Sequence, residues 1–339
     1  MVPSPSSSPA GTGPMGIHPR FRINRHRVLC WWLSGLACLL SLVGMGLCWL
    51  NPTIGAPLKP GLDFTGGTQI QLTRLCEGDC DALQAQQLRD GLQKLTLPPG
   101  DKGATPNLSG ASVQLLDKGQ TALLRLSALT PDQTNAVVKG LEPLLGPLST
   151  KGTQVDTIGP TLGSQLLSSS VQSLLVSFVF IAIYITFRYD RIYAFLALLC
   201  LAHDVLITCG LFAWLGLIGG IEVDTLFAVS LLTVAGYSVT DTVVVFDRIR
   251  EKQAALAHLP VTDQVDDAVA ATLTRSLYTS LTTSLPLLGL IFFGGSTLFW
   301  FALALAVGIG VGSWSSIAVA PTLLPLLWSP AKPRSVATP

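Results

Sequence analysis

Apolar residues along this chain gather into long unbroken runs, interrupted by short polar turns and by one extended polar stretch. The runs lie near Leu29 to Leu50, 166–187, 192–215, 224–246, 276–293 and 297–327, six in all. Each is close to the roughly 20 residues that carry a helix across a bilayer core. The last two are parted only by a turn at Gly294-Gly295-Ser296. The pattern predicts a polytopic α-helical membrane protein with six transmembrane helices. Segment 1–28 opens rich in Ser, Pro and Gly, carries Arg20, Arg22, Arg25 and Arg27, and reads as a disordered basic tail. Segment 328–339 reads as a second tail. The first run resembles a signal peptide in layout, but it is long for one and no small-residue cleavage site ends it. Residues 29–50 are therefore expected to form an uncleaved anchor helix.

The polar stretch, 51–164, has a different rhythm. Thr68 to Thr73 alternates as a strand, and Asp81 to Leu95 is helical with Leu88, Leu92 and Leu95 on one face. Ala111 to Leu116 and Thr121 to Leu126 read as strands joined by a turn at Asp117–Gly119. Thr130-Pro131-Asp132-Gln133 has the form of a capping box with Pro at the first helical position, opening a helix to about Leu145. Thr153 to Ile158 closes the set as a strand. The order strand, helix, strand, strand, helix, strand predicts a small ferredoxin-like α+β domain (βαββαβ) between the first and second membrane helices.

Composition agrees with a membrane chain. Hydrophobic residues make up 49% and charged residues 12%, with a mean hydropathy of +0.53. A soluble chain is about one quarter charged, so this one lacks the polar skin it would need in water. A small secreted disulfide scaffold and an ordinary cytosolic enzyme are excluded. Lys plus Arg (21) and Asp plus Glu (20) nearly balance, which gives no reason to expect a nucleic-acid partner. Orientation follows from the basic residues bordering the spans. With the N-terminus in the cytoplasm, Arg188, Arg191, Arg248, Arg250, Lys252, Arg275, Lys332 and Arg334 join the N-terminal arginines on the inner side. The short outer turns near Gly219 and Gly295 hold none. Both termini are expected in the cytoplasm and 51–164 outside.

Cys30, Cys38, Cys48, Cys200 and Cys209 fall in spans and read as small core residues. Cys76 and Cys80 fall in the outward domain, where an oxidising compartment permits a local disulfide and a free pair is the alternative. Gly61 to Gly67 lacks the Gly-Lys-Ser/Thr of a phosphate cradle, so Gly66 and Gly67 are expected to serve as a joint between the first span and the outer domain. Gly308 and Gly312 have the spacing of close helix packing.

Charge inside a span costs roughly 2.5–3.5 kcal/mol and demands a partner or a function. His203-Asp204 lies in the third span, Asp241 in the fourth, and Arg275 opens the fifth. A structural Asp241–Arg275 ion pair is one reading. The other is a proton relay of Asp241 and Arg275, with His203 and Asp204 as further members, because a carboxyl in a low dielectric is readily reprotonated. Tyr237, Ser238, Thr240 and Thr242 surround Asp241 in sequence, and Thr279, Ser280, Thr282 and Thr283 line the fifth span with hydroxyls that could carry water. No catalytic residue, cofactor or metal is expected. Between the fourth and fifth spans, 247–274 is interrupted by Pro260. Its second half, with Val265, Val269 and Leu273 opposite Asp263, Asp266 and Asp267, reads either as an amphipathic helix on the inner membrane surface or as a solvated loop helix.

The run Val243-Val244-Val245-Phe246-Asp247-Arg248-Ile249-Arg250-Glu251, preceded by Tyr237-Ser238 and Asp241-Thr242, resembles the signature of the SecF family. Gly61 to Thr68 is similar to that family's Asp-Phe-Thr-Gly-Gly motif, a motif shared with SecD. Ile158-Gly159-Pro160-Thr161, His203-Asp204, Arg275 with Thr279 to Thr283, and Ser315-Ser316-Ile317 match further positions. The resemblance implies six spans, one outward domain, and membership of the resistance–nodulation–division superfamily. It implies an accessory subunit in the plasma (inner) membrane that works with SecD and the SecY/SecE/SecG translocon with SecA. Its cargo would be unfolded secretory polypeptide, and its energy source the proton motive force. Asp241 and Arg275 stand where that family transports protons. Thr240 replaces the common Asn, and Ser276 the common Thr. Half of a proton-coupled small-molecule or lipid exporter, and a non-conducting translocase scaffold, are the competing expectations.

Overall fold

A computed structural model of the chain describes residues 22–75, 83–99, 106, 108, 111–116, 119–149 and 152–328. Cys76 and Cys80, read as either a local disulfide or a free pair, and most of both tails lie outside the described residues. A 3-10 turn (Ile23–His26) leads into α1 (Arg27–Leu50), followed by a one-turn α2 (Leu62–Thr65) and β1 (Gly67–Thr73). Then come α3 (Ala85–Lys94), β2 (Ser112–Leu116), β3 (Thr121–Leu126), α4 (Pro131–Leu145) and β4 (Gln154–Ile158). The remaining elements are helical: α5 (Pro160–Arg188), α6 (Arg191–Gly219), α7 (Thr225–Ala255), α8 (Val261–Phe293) and α9 (Gly295–Trp314). A π-turn (Ser315–Val319) joins α9 to α10 (Ala320–Leu327). Among the described residues six helical stretches are long and apolar enough to cross a membrane, at the six places where the hydropathy pattern puts them. The molecule is a multi-pass helical membrane protein with a small sheet.

The described residues divide into two compact units. One comprises 44–177 and 212–229. Its four-stranded antiparallel sheet has the order β2-β3-β1-β4. Along β1 the alternation separates buried Thr68, Ile70 and Leu72 from half-buried Gln69, Gln71 and Thr73. Those apolar side chains pack with Leu88 and Leu92 of α3 and Val137, Leu141 and Leu145 of α4. The α4 start is the predicted capping box: Gln133 N donates to Thr130 Oγ1 (3.3 Å) and Thr130 N to Gln133 Oε1 (3.1 Å).

In the same unit the strand that follows α1 pairs with the turn between α6 and α7. Gly61 N donates to Val223 O (2.8 Å) and Val223 N to Lys59 O (2.9 Å). Glu222 forms ion pairs with Lys59 (3.3 Å) and with Arg125 of β3 (2.5 Å). Gly66 and Gly67 sit at φ +71° and +137°, where a side chain is strained. A Cβ on Gly67 would stand 2.4 Å from Leu126 O, and one on Gly66 2.8 Å from Pro160 Cα. Gly67→Ala is expected to destabilise this unit by about 1–3 kcal/mol from backbone strain alone, read as a lower midpoint of thermal unfolding of the purified protein.

The other unit comprises the described parts of 1–43, 178–211 and 230–339. Its core joins Tyr193, Leu196 and Cys200 of α6, Val245, Phe246 and Ile249 of α7, Val265, Ala268 and Val269 of α8, and Ile317 to Leu324 around the π-turn. Glycines let its helices approach closely. A Cβ on Gly308 would lie 2.2 Å from Val234 Cγ2, and one on Gly312 3.3 Å from Ser238 Cβ, in agreement with the small-residue spacing.

Residues 261–274 are continuous with the fifth span, because α8 runs unbroken for 33 residues from Val261. Its first turns are buried on the acidic side as well as the apolar one. Asp267 pairs with Lys252 at 2.7 Å, their side chains 2% and 10% exposed. Asp266 Oδ1 accepts from Asn24 N (3.0 Å) and Nδ2 (2.8 Å). Gln264 Nε2 donates to the carbonyls of Leu256 (3.0 Å) and Leu259 (2.7 Å), closing the turn from α7. Nearby, Tyr189 donates its hydroxyl to Asp247 (3.0 Å). Burial, helped by that carboxylate, pushes the Tyr189 phenol up to about 12, so it remains a donor throughout the physiological range.

Candidate functional site

Besides Asp266 and Asp267, two carboxylates are buried among the described residues of the helical unit, Asp204 on α6 with no exposed surface and Asp241 on α7 at 7%. A buried carboxylate without partners costs several kcal/mol, and hydrogen bonds to a charged group return about 1.5–3 kcal/mol each. Both are seated by hydroxyls. Asp204 Oδ2 accepts from Ser238 Oγ (2.5 Å) and Ser315 Oγ (2.8 Å), and its Oδ1 lies 2.8 Å from His203 Nδ1. Asp241 Oδ1 accepts from Ser276 Oγ (2.8 Å), and Oδ2 from Ser316 Oγ.

Successive residues of a helix point about 100° apart, so the adjacent serines reach different acids. Both lie in the π-turn, where Ala320 N donates to Ser315 O, five residues back, so the turn holds one residue more than an α-turn. Ser315 meets Asp204 and Ser316 meets Asp241. A second hydroxyl chain crosses the bundle beside them: Tyr237 donates to Ser280 Oγ (2.9 Å), which also contacts Ser313 Oγ. His203 Nε2 and Thr242 Oγ1 are buried without a hydrogen-bond partner among the described residues.

The expected members are thus brought together only in part. Ser238 joins His203 and Asp204, Tyr237 bonds Ser280, and Asp241 is held by its own pair of serines. Arg275 does not join them: its side chain is exposed, and among the described residues it forms no ion pair with Asp241. The next residue, Ser276, occupies that position instead. Thr240, Thr279, Thr282 and Thr283 are exposed and donate to carbonyls four residues back in their own helices, at 2.7–2.8 Å. Sequence reasoning missed the carboxylate seats provided by Ser276, Ser315 and Ser316, and the contact of Ser313 with Ser280. The available signal was a set of hydroxyls inside otherwise apolar helices. Among the described residues no group of three His, Cys, Asp or Glu side chains converges as a metal centre requires.

This is the architecture of a helical membrane protein with protonatable groups enclosed in its bundle. Residues 142–329 match the family described as "Protein export membrane protein SecD/SecF, C-terminal", and residues 53–73 match the "SecD/SecF GG Motif". The chain is 50% identical over 306 residues to the protein translocase subunit SecF of Prochlorococcus marinus, covering 90% of this chain and 95% of that one. It is 42% identical over 299 residues to SecF of a Synechocystis species, covering 86% and 90%. The crystal structure of SecDF from Thermus thermophilus superposes with a TM-score of 0.74 at 31% identity. That likeness covers 93% of this chain and 40% of the longer one. The chain belongs to the SecD/SecF family of protein export membrane proteins.

Proposed function

We propose that this chain is an accessory subunit of the Sec protein translocase that works with SecD and uses the proton motive force to complete export of unfolded polypeptide. The observation that carries the reading is Asp241, a carboxylate enclosed between membrane helices and seated only by neutral hydroxyls, where gain or loss of a proton changes the local charge outright. The relatives named as protein translocase subunits support the transport role, and no catalytic step is invoked.

The protein lies in the plasma membrane with both termini in the cytoplasm. Residues 51–164 form an outward ferredoxin-like domain, and 165–327 carry the remaining spans. SecD supplies the complementary half. Support for this comes from the face of α8 bearing Arg275, Thr279, Thr282 and Thr283, which is polar yet uncovered, and from the SecDF relative, in which this chain matches only 40% of the length. The SecY/SecE/SecG channel with SecA delivers the chain to be pulled. Membrane lipid surrounds the spans.

In the proposed cycle a proton arriving at Asp241 loosens its hold on Ser276 and Ser316, and α8 is freed to turn. Successive residues on an α-helix are separated by about 100°, so a rotation of that size exchanges Ser276 for Arg275 opposite Asp241. The arginine then expels the proton by favouring the ionised carboxylate. His203 and Asp204 extend the same network. Motion is passed to the outer domain across Gly66-Gly67. One charge crossing about 150 mV releases roughly 3.5 kcal/mol, enough to bias a two-state element more than a hundredfold. The test is release of a secreted reporter from vesicles with and without this chain and its partner. The proposal predicts an added component of release that an uncoupler removes. Equal release with and without the chain contradicts it.

A further inference from the structure

Ser315 and Ser316 are consecutive in the chain, yet each holds a different buried carboxylate. Each also has a second acceptor in its own helix: Ser315 Oγ lies 3.0 Å from Gly312 O, and Ser316 Oγ 3.1 Å from Ser313 O. A hydroxyl has one hydrogen to donate, so each serine can satisfy either its carboxylate or its helix carbonyl at one moment.

We propose that Ser315 and Ser316 are positioning residues that couple the protonation of Asp204 to that of Asp241 through the π-turn. The coupling rests on the reading of Asp241 as the proton site. When a carboxylate is ionised, the serine hydroxyl donates to it. When a proton adds to the carboxylate oxygen, the new Asp O–H donates to the serine oxygen, and the serine hydrogen swings to the helix carbonyl. No heavy atom changes its bonds. Gly312 O already accepts the Ser315 N–H, so a further donor there alters the hydrogen bonding of the turn itself. Ser316 is the next residue in that turn, and its grip on Asp241 changes with it. A π-turn suits this task because its hydrogen-bond pattern is one step from that of an α-turn.

The surroundings leave the serines as the adjustable contacts. The titratable neighbours of Asp204 are His203 and Cys200 on α6 and Cys38 on α1. Asp241 is faced from α8 by Ser276 and from the π-turn by Ser316, neither of them charged. The His203 Nε2, buried without a partner among the described residues, leaves one polar atom at the Asp204 end unsatisfied.

Infrared difference spectroscopy across a pH titration tests the coupling in the complete complex with its partner subunit, reconstituted in vesicles. Two bands of protonated carboxyl are expected, one lost in Asp204→Asn and the other in Asp241→Asn. Ser315→Ala, which removes a contact to Asp204 and none to Asp241, is expected to move the titration midpoint of the Asp241 band by roughly fivefold or more in proton concentration. Ser315→Thr, which keeps the hydroxyl, is expected to restore it. Should Ser315→Ala fail to assemble, Ser238→Ala removes the other hydroxyl from Asp204 and is expected to move the same band. An Asp241 band unmoved by these changes, or no band lost in Asp204→Asn, overturns the proposal. A spectrum in which Asp241→Asn removes no band instead brings down the reading of Asp241 as the proton site, and the coupling with it.

Discussion

Asp241→Asn is expected to abolish the uncoupler-sensitive part of polypeptide release while leaving the amount of assembled protein near normal. The amide keeps the shape of the carboxyl group and can still accept from Ser276 or Ser316, so the bundle retains its packing. What it loses is the ability to change charge. If Asp241 takes up and releases the proton, the variant releases reporter at the rate of uncoupled wild type, and adding an uncoupler slows it no further. Arg275→Gln is expected to have the same effect for a different reason, since protons then enter but are not expelled. A structural ion pair between Asp241 and Arg275 predicts another outcome: loss of protein abundance in both variants, and unchanged response to the uncoupler in whatever remains.

The second large effect is on stability. Asp267→Ala leaves the Lys252 ammonium buried without its carboxylate. Removing one member of a buried ion pair costs about 3–5 kcal/mol, whereas surface substitutions stay within about 0.5 kcal/mol. The purified complex carrying Asp267→Ala is therefore expected to unfold at a clearly lower temperature. Lys252→Met in the same chain is expected to recover most of the loss, because the orphaned charge is then gone. A helix lying on the membrane surface with its acids in water predicts no change from Asp267→Ala.

That contrast shows where the sequence was legible and where it was not. The six apolar runs, the strands of the small sheet and the capping box at Thr130 are set by local pattern, and they stand where periodicity and turn chemistry put them. The seating of Asp266 and Asp267 depends on Asn24 and Lys252, the first more than two hundred residues away, so no local pattern could distinguish a buried acidic face from a solvated one. Asp241 and His203-Asp204 were conspicuous as charges in apolar helices. Their serine partners were not, because Ser in a membrane helix is unremarkable until its direction is known. The π-turn at Ser315–Val319, which carries the serines that serve the two acids, leaves no mark in hydropathy. Arg275 was expected at Asp241 from charge alone. Helical geometry instead turns Ser276 inward and Arg275 out, and the proposed cycle needs α8 to reverse this.

Proton flux into vesicles carrying the complete complex, followed with a pH-sensitive dye in the lumen while a polypeptide is being exported, tests the central claim most directly. The account predicts a flux that appears with the exported chain, collapses in Asp241→Asn and is lost likewise in Arg275→Gln. Flux of wild-type size in Asp241→Asn would contradict it and return Asp241 to the role of a buried structural acid.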